Sequence, residues 1–348
     1  MSFPQSVSLT ITNYCNLRCQ MCGQWSQEGY IRTNKDILKH EMTLADWKRV
    51  VDELAAHDIP SVLLRGGEAF MFPGIVELLD YIHDKGMYIS IDTNGTMLEQ
   101  FAEDIVRIGK MHLTISVDGP EAVHDEVRGV KGTFQKIKAG VARLRELEVQ
   151  SENKISRSIC FTISQYNYRY LGVMPDIARS LGLESIAIVP YYYFPRWVGK
   201  VYQKELRELG CLAYSWVGFH HEDSGVDFDE FQRQYRQFQA TLGDVYNYPY
   251  MPLDEDQYRT WFTDPQAQVG PVHCQNVEKL IDIQPDGSAN FCVDFIDYSF
   301  GNVREASIEQ LWNSERAEVF RRYRREKPLA VCYRCGAKFM SQKWRDYG

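Results

Sequence analysis

Val7-Ser8-Leu9-Thr10-Ile11-Thr12-Asn13-Tyr14-Cys15-Asn16-Leu17-Arg18-Cys19-Gln20-Met21-Cys22 joins a strand-like run, Val7 to Thr12, to three cysteines spaced C-x3-C-x2-C. Soft thiolates suit iron, and short spacers let one loop fold around a multi-iron group. Three ligands leave one iron of a 4Fe-4S cluster open to a substrate or cofactor. A zinc knuckle or disulfide pairing is the alternative. Zinc wants a fourth ligand close by, and the nearest histidine downstream is His40. Nine cysteines in 348 residues are sparse for a disulfide scaffold.

Composition narrows the class around this loop. The chain is 44% hydrophobic and 25% charged, as in an ordinary globular protein. No apolar run approaches a membrane span, and residues 1–6 are too short and polar for a signal peptide. With free cysteines, these features predict a cytoplasmic protein. A net charge of −8 argues against nucleic-acid binding. The basic run from Arg316 to Lys327 has helical spacing and interleaved acids, so it reads as a solvated face.

From residue 7 to about 193, β-like runs alternate with amphipathic helical stretches. The spacing predicts strands at 7–12, 61–65, 88–93, 112–117, 158–163 and 185–189. It predicts helices at 43–57, 72–85, 97–108, 133–147 and 170–181, the first N-capped by Thr43. Such alternation specifies an α/β fold with parallel strands and right-handed crossovers. Six units fit a partial (β/α)6 TIM-like barrel over residues 1–193, with its chemistry at the C-terminal strand ends.

Residues 194–267 read as an aromatic-rich insertion or linker. Ten of the 21 tyrosines fall between Tyr191 and Tyr258, and one helix is predicted, from 229 to 242. Residues 268–348 read as a small hairpin-plus-helix unit. Its predicted strands, 280–284 and 289–293, flank the turn Pro285-Asp286-Gly287-Ser288, and one helix is predicted over 307–325. Cys274, Cys292, Cys332 and Cys335 lie in this unit. Four thiolates there could bind zinc or fully ligate a 4Fe-4S cluster.

The cysteine loop, with its Asn16-Leu17 pair, resembles the cluster motif of the radical S-adenosylmethionine (SAM) enzymes. That resemblance implies a 4Fe-4S cluster on Cys15, Cys19 and Cys22, with SAM chelating the open iron. Met21 departs from the pattern, which usually has an aromatic residue near the adenine; a thioether can serve the same contact. Gly66-Gly67-Glu68 resembles the family's Gly-Gly-Glu-Pro motif for the SAM amino group, with Ala69 in place of proline. Thr93-Asn94-Gly95 and Ser116-Val117-Asp118-Gly119 resemble signatures near the ribose and methionine. The resemblance thus makes Met21, Gly66, Gly67, Glu68, Thr93, Asn94, Ser116 and Asp118 SAM-site candidates. Downstream, Asp125 and Arg128 could brace the loop. The pattern C-x12-G-x4-C from Cys274 to Cys292 resembles the SPASM/twitch extension, which implies one auxiliary 4Fe-4S cluster on the four C-terminal cysteines.

The implied activity is reductive cleavage of SAM to a 5′-deoxyadenosyl radical that abstracts hydrogen and oxidises or cross-links a substrate. Numbers within the family favour a peptide, as in ribosomal peptide maturation. A small-molecule alcohol or amino-sugar dehydrogenase or epimerase is the alternative, and a non-catalytic iron–sulfur sensor or scaffold the third reading. Expected partners are an electron donor such as flavodoxin or ferredoxin and, as no leader-binding domain fits before Val7, a separate peptide-recognition protein. Cys160 and Cys211 read as buried small hydrophobes, or as catalytic thiols that return a hydrogen atom to the substrate. The run His220-His221-Glu222-Asp223 reads as a solvated loop.

Overall fold

The computed structural model describes residues 2–339. Ten strands form one sheet: β1 (Ser6–Thr12), β2 (Ser61–Gly66), β3 (Tyr88–Thr93), β4 (Met111–Ser116), β5 (Ser156–Ile163), β6 (Ser185–Pro190), β7 (Tyr246–Pro249), β8 (Leu280–Ile283), β9 (Ser288–Asn290) and β10 (Ser299–Asn302). Their spatial order is β10-β9-β8-β1-β2-β3-β4-β5-β6-β7, so the sheet ends at β10 and β7. All pairings from β8 through β1 to β7 are parallel, while β9 and β10 turn back antiparallel.

One face of the parallel strands is apolar. Leu9, Ile11, Leu64, Ile89, Ile91, Leu113 and Ile115 are buried among the connecting helices, as expected where crossovers cover a parallel sheet. The opposite face is small and polar: Ser8, Ser61, Ser90, Thr114, Ser158 and Ser185 share a cavity with residues from β7 and β8. The sheet therefore curls around this face as a partial barrel. Closed barrels fill their interior with bulky branched side chains; serines and threonines leave space here.

The predicted elements are present, with shifted ends where local chemistry intervenes. Pro73 and Gly74, the latter at φ 89°, delay the second predicted helix until Ile75–Asp84. Pro175 in the first turn starts the helix Met174–Leu181 after a 3-10 turn. The helix expected over 307–325 is two, Ile308–Trp312 and Glu315–Glu326, because the Ser314 side chain accepts the Ala317 N–H and begins a new helix.

Residues 194–267 are more regular than expected. They form the helices Arg196–Glu208, Phe228–Thr241 and Glu255–Thr263 as well as β7, which extends the parallel sheet. The signal was present: Tyr246, Tyr248 and Tyr250 alternate with period two, and all three line the cavity. The C-terminal hairpin also continues the barrel, since β8 pairs with β1 from Ser6↔Leu280 to Leu9↔Ile283. Among the described residues no helix is long and apolar enough to cross a membrane.

Candidate active site

The loop after β1 carries Cys15, Cys19 and Cys22 to the C-terminal end of the sheet, where all three line a cavity of about 810 Å³. Each sulfur receives a hydrogen bond. Leu17 N–H donates to Cys15 Sγ at 3.4 Å, Trp25 N–H to Cys22 Sγ at 3.3 Å, and Arg128 Nη1 to Cys19 Sγ at 3.7 Å. The loop is anchored by Arg18 N–H to Arg128 O at 3.1 Å and Gln20 N–H to Val127 O at 2.9 Å. Burial pushes the Cys15 thiol up to about 12, and burial, opposed by Arg128, leaves Cys19 at about 11. Thiolates at such positions require positive charge nearby, which iron brings when it binds. Donors aimed at the sulfurs and a shared cavity fit an iron–sulfur cluster.

At the end of β2 the two glycines approach the chain's own backbone. A Cβ on Gly66 would meet Thr12 O at 2.4 Å, and one on Gly67 would meet Tyr14 O at 2.3 Å. Gly67 N–H donates to Thr12 O and Glu68 N–H to Tyr14 O, both at 2.8 Å. Glycine is required so that β2 can press against the cysteine loop. Glu68 is 1% exposed and turned inward. Its carboxylate accepts from Asn94 N–H at 2.7 Å, Thr93 Oγ1 at 2.8 Å and Phe70 N–H at 3.2 Å. It braces the loop after β3 rather than lining the cavity.

Met21, Gly66, Gly67, Thr93, Asn94 and Ser116 line the cavity; Asp118 does not. Asn94 Nδ2 donates to Asn16 Oδ1 at 2.8 Å, tying the β3 loop to the cysteine loop. Asp118 is fully buried and pairs with Arg128 at 2.5 Å, while Asp125 accepts from Thr133 Oγ1 at 2.6 Å and caps the next turn. Cys160 faces Ser116 across the β4–β5 register and lines the cavity; burial pushes its thiol up to about 12. Cys211 lies elsewhere, accepting from Arg316 Nη2 at 3.1 Å and outside the cavity lining. The structure therefore separates the two thiols that the sequence left level.

The four C-terminal cysteines converge although 61 positions of sequence separate the first from the last. Cys274, Cys292, Cys332 and Cys335 all act electrostatically on the buried Arg324 guanidinium, and three of them also act on Lys338. Phe295 N–H donates to Cys292 Sγ at 3.3 Å. Burial pushes Cys274 up to about 11 and Cys292 and Cys335 higher. Among the described residues no three His, Cys, Asp or Glu groups close on a single metal ion. Four convergent thiols beside two cations fit a polynuclear group whose net charge with thiolates is negative.

Several cavity residues had no motif to announce them. Arg65 and Asp92 lie on the inner face of β2 and β3, and Asp294 follows Cys292 by two positions. Tyr191, Tyr192 and Tyr250 supply an aromatic wall. The expected solvated histidine run is partly engaged: His221 Nε2 lies 3.2 Å from Tyr191 OH, and His220 lies 3.2 Å from Glu28.

Comparison with known proteins agrees with this layout. Residues 9–161 match the radical SAM superfamily, and residues 274–336 match the SPASM iron–sulfur cluster-binding domain. The chain is similar to the Fe-coproporphyrin III synthase of Methanosarcina barkeri, 25% identical across 97% of this chain and 80% of that protein. It is also 23% identical to the antilisterial bacteriocin subtilosin biosynthesis protein AlbA of Bacillus subtilis, across 89% of this chain but 60% of AlbA. In fold it resembles Streptococcus suis SuiB bound to its precursor peptide SuiA, with a TM-score of 0.63, 14% identity, and coverage of 97% of this chain and 71% of SuiB. With one cysteine triad at the mouth of a parallel partial barrel and a second set converging beyond β8, the chain belongs to the radical SAM superfamily and carries a C-terminal SPASM domain.

Proposed function

We propose that this protein is an oxidoreductase that removes hydrogen from a peptide held in the central cavity. The observation that carries this reading is the reach of that cavity, from Cys15, Cys19 and Cys22 to Asp294 beside Cys292. Cys15, Cys19 and Cys22 would hold a 4Fe-4S cluster that would supply the electron for reductive cleavage of SAM, and Cys274, Cys292, Cys332 and Cys335 would hold a second that would take an electron from the substrate. The residues of the chain do the rest. Asn94, Thr93 and Ser116 offer hydrogen-bonding groups to SAM, and Met21 offers an apolar contact. The backbone of Gly66 and Gly67 forms the adjoining wall, while Glu68 and Asp118 hold these groups in place without facing the ligand. Cys160, opposite Ser116, lines the cavity and Cys211 does not, so Cys160 is the thiol that would quench the substrate radical if the reaction were redox-neutral; in the oxidative reaction it would serve only as cavity wall.

The peptide reading draws support from AlbA, named for bacteriocin biosynthesis, and from SuiB, solved with a precursor peptide. A porphyrin substrate is the second reading, favoured by the even coverage of both chains in the match to Fe-coproporphyrin III synthase. The cavity wall weighs against it, because Asp92 and Asp294 would face the propionates of such a ligand.

The test uses anaerobically reconstituted protein with SAM and a reductant, assayed for 5′-deoxyadenosine and for a modified peptide two hydrogens lighter. Replacing Cys332 and Cys335 together by serine should abolish the modified product. Full product from that variant would refute the oxidative role of the C-terminal set.

A further inference from the structure

Arg65 stands at the last inward position of β2, in the cavity wall. Among the described residues its guanidinium makes no hydrogen bond and has no carboxylate at ion-pair distance. Among the described residues the buried arginines each have an acceptor, Lys327 O in the case of Arg324. Arg128 holds Asp118, Arg321 donates to Val277 O and Trp312 O, and Arg334 donates to Asp264 O. The Arg65 guanidinium opens onto the cavity, and its planar fork favours a bidentate partner.

The charges acting most strongly on Arg65 are Asp294, then Asp282 and Asp92. Asp282 is fully buried and bonded to Gln284, so it does not face the cavity. Asp92 lies beside Thr114 on the next strand and interacts with it. Asp294 lines the cavity, its backbone N–H directed to the Cys292 sulfur, and among the described residues its carboxylate accepts no hydrogen bond. The wall thus presents one donor-only group and one acceptor group that attract each other yet keep hydrogen-bonding capacity open, and carboxylates outnumber the guanidinium. A purely anionic ligand would satisfy Arg65 and be repelled by Asp294 and Asp92. A ligand group that accepts on one side and donates N–H on the other satisfies both. The peptide amide has this form.

We propose that Arg65 and Asp294 are a substrate-anchoring pair that grips a backbone amide of the peptide, the carbonyl on Arg65 and the N–H on Asp294. This rests on the peptide reading above and adds the group by which the peptide is held. Tyr192 and Tyr250, which also line this wall and interact with each other, close its apolar side.

The test uses full-length reconstituted protein and two probes: a randomised pool of acetylated, amidated pentapeptides, and coproporphyrin III. Stimulation of 5′-deoxyadenosine formation is titrated for each, with SAM affinity and iron content measured in parallel. The pool should stimulate and coproporphyrin III should not. Arg65→Gln and Asp294→Asn should each raise the half-stimulating pool concentration about 10- to 100-fold, the loss expected for one hydrogen bond to a charged group. Arg65→Lys should recover part of the loss. Unchanged titrations in both variants, a fall in SAM affinity in place of peptide affinity, or stimulation by coproporphyrin III alone would overturn the pair. If the wild type forms 5′-deoxyadenosine but neither probe stimulates it, the amide anchor falls alone. If it forms none, the radical reading itself falls.

Discussion

The carboxylate of Glu68 accepts the backbone N–H of Asn94 at 2.7 Å, joining the end of β2 to the loop after β3. Asn94 in turn reaches Asn16 in the cysteine loop, so three strand ends are held by one chain of hydrogen bonds. A buried polar network of this kind fixes geometry when every member is satisfied.

Glu68→Gln keeps the shape but turns one acceptor into a donor against an N–H. We expect a loss of about 1–3 kcal/mol in stability and weaker SAM binding, read by urea denaturation and equilibrium titration. Glu68→Ala should behave similarly or worse.

Gly67→Ala should separate folding from cofactor loading. Its Cβ would meet Tyr14 O at 2.3 Å and Asn13 O at 2.6 Å, both backbone atoms that cannot turn aside. The cysteine loop must move, so iron and acid-labile sulfide content should fall while far-ultraviolet circular dichroism stays close to that of the wild type.

Much of this site was legible in the sequence because it lies next to its own strand. The Cys15–Cys22 loop, Gly66–Glu68 and Thr93–Asn94 each follow a strand with clear periodicity, and their order along the chain is their order around the sheet. The roles were less legible than the places. Glu68 and Asp118 carry motif positions yet face inward, because a carboxylate's direction depends on partners distant in sequence. Arg65 and Asp294 were silent for a related reason: each is an ordinary residue until curvature brings β2 and the C-terminal unit to one cavity. β7 was missed because its four residues, Tyr246-Asn247-Tyr248-Pro249, lack the β-branched side chains that mark most strands.

Arg128 couples the fully buried Asp118 to Cys19. Arg128→Met leaves Asp118 uncompensated and should cost about 3–5 kcal/mol. Adding Asp118→Asn should recover part of that loss in denaturant titrations. Removing a positive charge beside Cys19 should also move the midpoint potential of the cluster it holds to more negative values, measured by redox titration with electron paramagnetic resonance detection.

His124 sets an acid limit on stability. Asp118 N–H donates to its Nδ1 at 3.2 Å, and burial holds its pKa down to about 3, below the ordinary value near 6.5. The folded state therefore keeps the ring neutral while the unfolded chain takes up a proton. This contribution is complete above pH 6.5 and is lost as pH falls toward 3, at about 1.4 kcal/mol per pH unit. Between pH 6.5 and 5 the wild type should lose stability more steeply than His124→Asn, by that slope, in urea titrations.

The most direct measurement is the fate of SAM when anaerobically reconstituted protein is reduced with dithionite. Methionine and 5′-deoxyadenosine should form in equal amounts, and neither should form when Cys15, Cys19 and Cys22 are replaced by alanine. Release of S-adenosylhomocysteine, or SAM left intact by fully iron-loaded protein, would contradict the radical reading.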